Sequence, residues 1–385
     1  MRLLFWFSLS LLLLFELANV YFIMPMPGSQ QFDSLPVAYF LYTKRWWFRI
    51  ILFAGLMAGW YGASFKKIWV PLLGIVPVGV ILYIVNFQMA ADRMFRPVET
   101  LKMATAAENK VDSNRLVVGV SIGNEARAYP IRLIGYHHFV EDSIGGNPIL
   151  VTYCTVCRTG RVFDPHVDGK HEHFRLVGMD HFNAMIEDAT TKSWWQQATG
   201  EAVTGSLQGK KLKEIISTQT TLAAWLKMKP HSLVMQPDPA FNNKYDTSLK
   251  YEEGQSRKKL TGTDSLSWKS KSWIIGIERG HLARAYDWNQ LKKQRLIEDT
   301  LNGQKIIIVL AEDQKSFFAF KSPVTKEPIH IVRDTLFSGP QKYLVNGKSF
   351  AGSADLELII AYQEFWHSWK NFHPHTGTCP ASAEK

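Results

Sequence analysis

Thr152-Tyr153-Cys154-Thr155-Val156-Cys157-Arg158-Thr159-Gly160 places two thiols three positions apart, directly after the apolar run Ile149–Tyr153. Sulfurs at that spacing have two chemical uses. As thiolates they clasp one soft or borderline ion, the turn between them letting both face inward. Alternatively they open and close as a disulfide, and a neighbouring cation such as Arg158 lowers the pKa of one thiol. A single pair supplies only two metal ligands, so a metal centre requires further donors. His137 precedes the strand and His181 follows it, which with Cys154 and Cys157 gives a Cys2His or Cys2His2 sphere for zinc. Met179 is a soft ligand suited to copper. A static disulfide or two buried thiols at a strand end is the plainer alternative.

A second stretch, Ser193-Trp194-Trp195-Gln196-Gln197, is also unusual. Adjacent tryptophans in a strand point to opposite faces, so one is expected to line a pocket beside the glutamine amides. Trp195, Gln196, His138 and Met179 are the candidate pocket-lining residues. A tryptophan pair wedged between packed segments is the competing reading.

The chain itself supplies a control on these choices. Val117–Val151 falls without a gap on Ile274–Ile308 at an offset of 157, sharing Ala-Arg-Ala-Tyr, Glu-Asp and several glycines. The match resumes at an offset of 144, where Trp225, Pro230 and His231 lie over Trp369, Pro374 and His375. Self-similarity on this scale points to two packed units rather than to a solenoid, which needs three or more short repeats. At the first offset Cys154 falls on Ala311, Cys157 on Gln314, His137 on Gln294 and His138 on Arg295. The paired thiols and the adjacent imidazoles are absent from the second stretch while its glycines and apolar positions persist, so it reads as a degenerate structural partner.

The first ninety or so residues have a different composition. Three apolar segments, near 3–27, 46–65 and 68–89, are expected to span a membrane; the last is free of charge over its 22 residues, about 33 Å at 1.5 Å per residue. Tryptophans and tyrosines cluster near segment ends, as in an interfacial belt. Arg49 lies close enough to an end to snorkel, and Glu16 reads as an acid packed between helices. A cleaved leader over Met1–Val20 is the alternative for the first segment. With Lys66 and Lys67 facing the cytoplasm the remainder is extracytoplasmic, although Lys44, Arg45, Arg49, Arg93 and Arg96 then break the positive-inside count. The net charge of +10 is dispersed, and without interleaved aromatics it argues against a nucleic-acid partner and for contact with the lipid bilayer.

These elements imply an α+β fold: a β-rich soluble domain built from two related halves and preceded by three transmembrane helices. The expected divisions are 1–92 for the membrane region, 93–236 for the first half, 237–267 for a connector and 268–385 for the second half. Apolar strands follow matching turns at Gly145-Gly146-Asn147-Pro148 and Leu301-Asn302-Gly303-Gln304, and helices are expected over Leu222–Met228 and Leu356–Phe372.

At Ala126-Arg127-Ala128-Tyr129-Pro130, His137 with Glu141-Asp142, the Cys154/Cys157 segment, Ser193-Trp194-x-Gln196, Gly205-x-x-x-Gly209 and Trp225–Pro230, the chain resembles the bacterial family catalogued as domain of unknown function 3179. The resemblance runs from about Leu116 to the C-terminus and implies an exported or membrane-anchored protein. It departs from the family pattern at His138 and Glu141 and over Val177-Gly178-Met179-Asp180, which implies a subfamily with its own ligand. The family brings no activity with it. The residues therefore point to a membrane-anchored extracytoplasmic protein with a metal-binding (zinc or copper) or redox site at Cys154 and Cys157. The alternative is a binding or scaffold module in which the pair is structural, and the small-molecule or protein partner stays open.

Overall fold

The computed structural model describes residues 1–323, 327–350, 352 and 354–379; residues 380–385 of the expected second half lie outside the described residues. The architecture is α+β with several small sheets. The chain forms two compact units. One comprises Met1–Arg96 with Glu172–Gln196 and Glu201–Lys211; the other comprises Pro97–His171, Gln197–Gly200 and the chain from Leu212 onward.

The first unit begins with helices α1 (Arg2–Tyr21), α2 (Leu35–Ala63) and α3 (Trp69–Tyr83), the last continuing as a wider turn through Gln88. Two stretches, Arg2–Tyr21 and Trp69–Gln88, are long and apolar enough to cross a membrane by length and composition. This corrects the expected three. The middle apolar segment is part of a 29-residue helix that also carries Lys44, Arg45 and Arg49. Arg49 does not snorkel: its guanidinium forms two bonds to Glu16, at 2.6 and 2.8 Å. Helix α1 lies against a small-residue face of α2. A Cβ built on Gly59 would stand 2.5 Å from the backbone nitrogen of Phe5, and one on Gly55 would stand 2.5 Å from the Ser8 hydroxyl. Glycines four apart admit such an approach in helix pairs.

The same unit contains an antiparallel sheet of Phe174–Asp180, Asn183–Asp188, Trp194–Gln196 and Ala202–Thr204. The amide of Met179 donates to the Ile23 carbonyl at 2.8 Å, where Gly178 leaves room for that backbone. Trp194 packs edge-on against Tyr39 of α2 and donates its indole N–H to Glu187.

In the second unit the chain runs β1 (Leu116–Ile122), β2 (Glu125–Pro130), α4 (Ile131–His137), β3 (Phe139–Ile144), β4 (Asn147–Cys154) and β5 (Thr159–Asp164). Then follow β6 (Ser217–Thr221), α5 (Leu222–Met228) and β7 (Leu233–Met235). Strand β6 pairs antiparallel with β1, and β7 adds parallel to β2. The later part runs β8 (Trp273–Arg279), β9 (Leu282–Asp287), α6 (Trp288–Gln294), β10 (Leu296–Leu301), β11 (Gln304–Leu310) and β12 (Phe317–Lys321). It ends with β13 (Tyr362–Phe365), α7 (Trp366–Phe372) and β14 (Gly377–Cys379). Strand β13 pairs antiparallel with β8, and β14 adds parallel to β9.

Residues common to the two sequence stretches hold these elements together. The ring of Trp225 lies where a Cβ on Gly119 would be, 2.3 Å away, and Trp369 stands at the same 2.3 Å from Gly276. Only glycine lets the helix tryptophan lie flat on the strand. The hydroxyl of Tyr129 donates to Asp142 at 2.7 Å and that of Tyr286 to Asp299 at 2.6 Å, which accounts for the Ala-Arg-Ala-Tyr and Glu-Asp segments. The first half buries Tyr129, Leu133, Ile149 and Val151, and the second buries Tyr286, Leu291, Ile306 and Ile308.

Candidate functional site

Strands β4 and β5 form a hairpin in which Cys154 is the last paired residue, opposite Thr159. Residues 155–158 make the turn, as the local sequence predicts, and Arg158 adopts a left-handed φ of 59°. Both cysteines are thiols, both wholly buried. They hydrogen-bond to one another, and Ser368 bonds to Cys157. Burial pushes the Cys157 thiol well above its usual range, with its hydrogen bond to Cys154 and the charge of Glu364 acting the same way.

Arg158 does not serve as the activating cation expected from the sequence. Its guanidinium is fully buried and faces away to Gln363 Oε1 at 3.0 Å and to the carbonyls of Tyr251 and Glu252. It also lies 3.6 Å over the ring of Trp273. This arrangement satisfies the donors of a buried guanidinium with carbonyls, an amide and a π-face.

The walls around the thiols come from the second half of the chain. Lys271 donates to the carbonyls of Val156 and Leu260, each at 2.8 Å, and meets His367 Nε2 at 3.0 Å. Burial lowers the Lys271 pKa, opposed by the nearby Cys157 and Cys154. Burial and the Lys271 charge hold His367 down to about 4. Ser368 donates to Glu364 Oε1 at 2.5 Å, and the other oxygen of that carboxylate accepts from Arg161 at 3.1 Å. The amide of Phe365 donates to the Cys157 carbonyl at 2.8 Å. The second half, read from sequence as a degenerate partner, thus supplies the charged groups of the site.

The remaining anticipated residues take the following places. His137 is buried, its Nε2 2.8 Å from the Tyr245 hydroxyl and its ring among Tyr136, Phe241 and Tyr245. His138 closes α4 with a φ of 64°, its Nδ1 3.2 Å from the Tyr153 carbonyl, and burial lowers its pKa to about 4. His181 belongs to the other unit, where its Nδ1 sits 2.8 Å from Asp180 and its pKa is raised chiefly by that bond. Met179, Trp195 and Gln196 belong to that unit too; Trp195 donates to Asp188 at 3.0 Å and Gln196 to Asp180 at 2.8 Å. Gln197, by contrast, braces the hairpin through Thr152 Oγ1 at 3.0 Å and the Thr159 carbonyl at 3.2 Å. Among the described residues, no three His, Cys, Asp or Glu side chains converge as a metal-holding group.

Sequence reasoning missed Lys271, Gln363, Glu364, His367 and Ser368. A signal for three of them was present: at the offset of 144 Glu364, His367 and Ser368 stand over Thr220, Ala223 and Ala224. These are polar groups that the second stretch has and the first lacks, the converse of the thiol pair. The connector was likewise undervalued, since Tyr245 meets His137 and the Tyr251 hydroxyl donates to the Thr155 carbonyl at 3.0 Å.

Fold and site together describe an α+β protein with two apolar helices of membrane-spanning length and a buried thiol pair. The family model described as Protein of unknown function (DUF3179) matches residues 97–376, and the chain belongs to that family. No curated protein and no solved structure matches it.

Proposed function

We propose that this chain is a membrane-anchored protein whose β-rich unit lies outside the cytoplasm and carries a dithiol–disulfide couple at Cys154 and Cys157. The observation that carries this reading is the direct thiol–thiol contact, enclosed by Lys271, Glu364, His367 and Ser368. A hairpin end needs no buried ammonium and carboxylate for its stability, because buried charges are costly to desolvate even when they are paired. In the exchange, a partner disulfide accepts two electrons; the Cys154–Cys157 bond forms, the partner's S–S bond breaks, and the two protons leave on the partner's thiols. The raised Cys157 pKa keeps that thiol protonated at neutral pH. Because burial outweighs the Lys271 charge and disfavours the thiolate, the disulfide is hard to reduce, so the couple acts as an electron donor.

The full-length chain, equilibrated in detergent against reduced and oxidised dithiothreitol and tagged with a maleimide, should gain and lose two tags together, with Cys379 constant. Cys154→Ser should abolish the paired response. A pair that never changes state in the folded protein, with serine variants altering only the melting temperature, removes the reading. The complete burial of both sulfurs favours the second reading, a scaffold module stapled at the hairpin, and that result would establish it. Stoichiometric zinc or copper lost in Cys154→Ser would instead make the pair an ion clasp.

We also infer that the two halves descend from one tandemly copied unit. Their matching order of elements, the paired Gly–Trp and Tyr–Asp contacts and the parallel addition of β7 and β14 support this.

A further inference from the structure

Helices α1, α2 and α3 with its continuation line an open cavity of about 890 Å³. One wall is built around Glu16, which has no exposed surface. Arg49 takes both of its oxygens, and Asn86 donates to one of them at 2.9 Å while accepting from Arg49 at 2.6 Å. That network neutralises Arg49. Arg45 and Arg93 line the same cavity, and Glu16 is the only carboxylate among its lining residues. Three guanidinium groups against one carboxylate leave the cavity with two positive charges in excess. Arg45 donates to the Tyr42 carbonyl and lies 3.9 Å from that ring, which fixes its position without cancelling its charge. The rest of the lining is apolar, with Leu12, Ile50, Phe53, Leu82 and Phe87.

A small inorganic anion has no use for the apolar lining, and the ammonium of a zwitterionic lipid offsets its phosphate and is repelled by the two arginines. We propose that the cavity binds one acidic phospholipid, with the phosphate between Arg45 and Arg93 and an acyl chain along Ile50, Phe53 and Phe87. Basic side chains at a membrane surface select anionic headgroups in this way. The inference rests on the membrane reading of the helices.

The full-length chain is reconstituted in bilayers of phosphatidylcholine and phosphatidylglycerol with matched acyl chains, and bound lipid is counted by native mass spectrometry. One phosphatidylglycerol per chain should be retained over phosphatidylcholine by on the order of tenfold, given the attraction each basic side chain contributes. The double variant Arg45→Gln/Arg93→Gln should bring the ratio near one, whereas Lys66→Gln, outside the cavity, should leave it unchanged. Equal retention of both lipids, or a preference that survives the double variant, overturns the inference alone. Failure of the wild-type chain to float with phosphatidylcholine vesicles overturns the membrane reading and this inference with it.

Discussion

The side-chain amide of Gln219 donates to that of Gln363 at 2.9 Å, and these two glutamines correspond to one another at the sequence offset of 144. Corresponding residues touch where the two halves of the unit meet. Gln363 Oε1 also accepts from Arg158, so one buried amide oxygen serves two donors beside the thiol hairpin.

Gln363→Leu removes that shared acceptor and leaves the buried Arg158 guanidinium and the Gln219 amide each short of a partner. The expected loss is about 2–4 kcal/mol, since an unsatisfied buried donor costs its full desolvation, and more if it is charged. Urea unfolding measures it. A change below about 0.5 kcal/mol would mean that Arg158 is held by its carbonyl and ring contacts alone.

Gly119→Ala and Gly276→Ala should fail for the same reason. Each places a Cβ where a tryptophan ring already lies, 2.3 Å away, in the interior of a strand. Overpacking of this kind costs about 1–3 kcal/mol. Thermal melts of the two variants should show losses of similar size. A loss in one and not in the other would show that the halves are not held together alike.

The hairpin with its cysteines was legible because an apolar run followed by Thr155-Val156 and Thr159-Gly160 reads directly as a strand entering a turn. The helix Leu222–Met228 and the helix end before Pro374 were legible for a similar local reason, since proline cannot continue a helix. The second helix begins at Trp366 rather than Leu356, because Tyr362–Phe365 pairs as a strand. Lys271, Glu364 and His367 were not, because they reach the thiols only after the chain has folded back over about a hundred residues or more. No periodic pattern encodes that contact. Arg49 was misread as snorkelling because its carboxylate lies 33 positions away on another helix. Residues 172–211, apart from 197–200, group with the N-terminal helices, although their sequence continues the first half without a break in composition.

Acid should destabilise the protein before the carboxylates titrate. His138 and His367 carry a proton in the unfolded chain below about pH 6.5 but resist it in the folded protein down to about 4. The unfolded state therefore binds more protons in that window, and stability falls as pH drops through it, by roughly 3 kcal/mol for each histidine. His138→Asn keeps a side chain that tolerates the left-handed backbone and removes one titration. Urea midpoints from pH 7 to 4 should decline less steeply in that variant. Parallel curves for variant and wild type would show that His138 is not the proton-linked group.

Lys271 offers the sharpest test of whether the thiols work or merely fill space. Its ammonium bonds the Val156 carbonyl within the turn and is electrostatically coupled to both sulfurs. Lys271→Met keeps an unbranched side chain but removes the charge, so the thiolates lose a stabilising neighbour and ionise at higher pH. In a Cys379→Ser background, maleimide labelling of the reduced protein should be at least about threefold slower at pH 8, with its rate–pH curve displaced upward, while Lys271→Arg restores the curve of the background protein. A lysine that only braces the turn would change the melting temperature and leave the rate–pH curve where it was. That outcome would leave the thiol pair without a tuned environment and return the hairpin to a structural role.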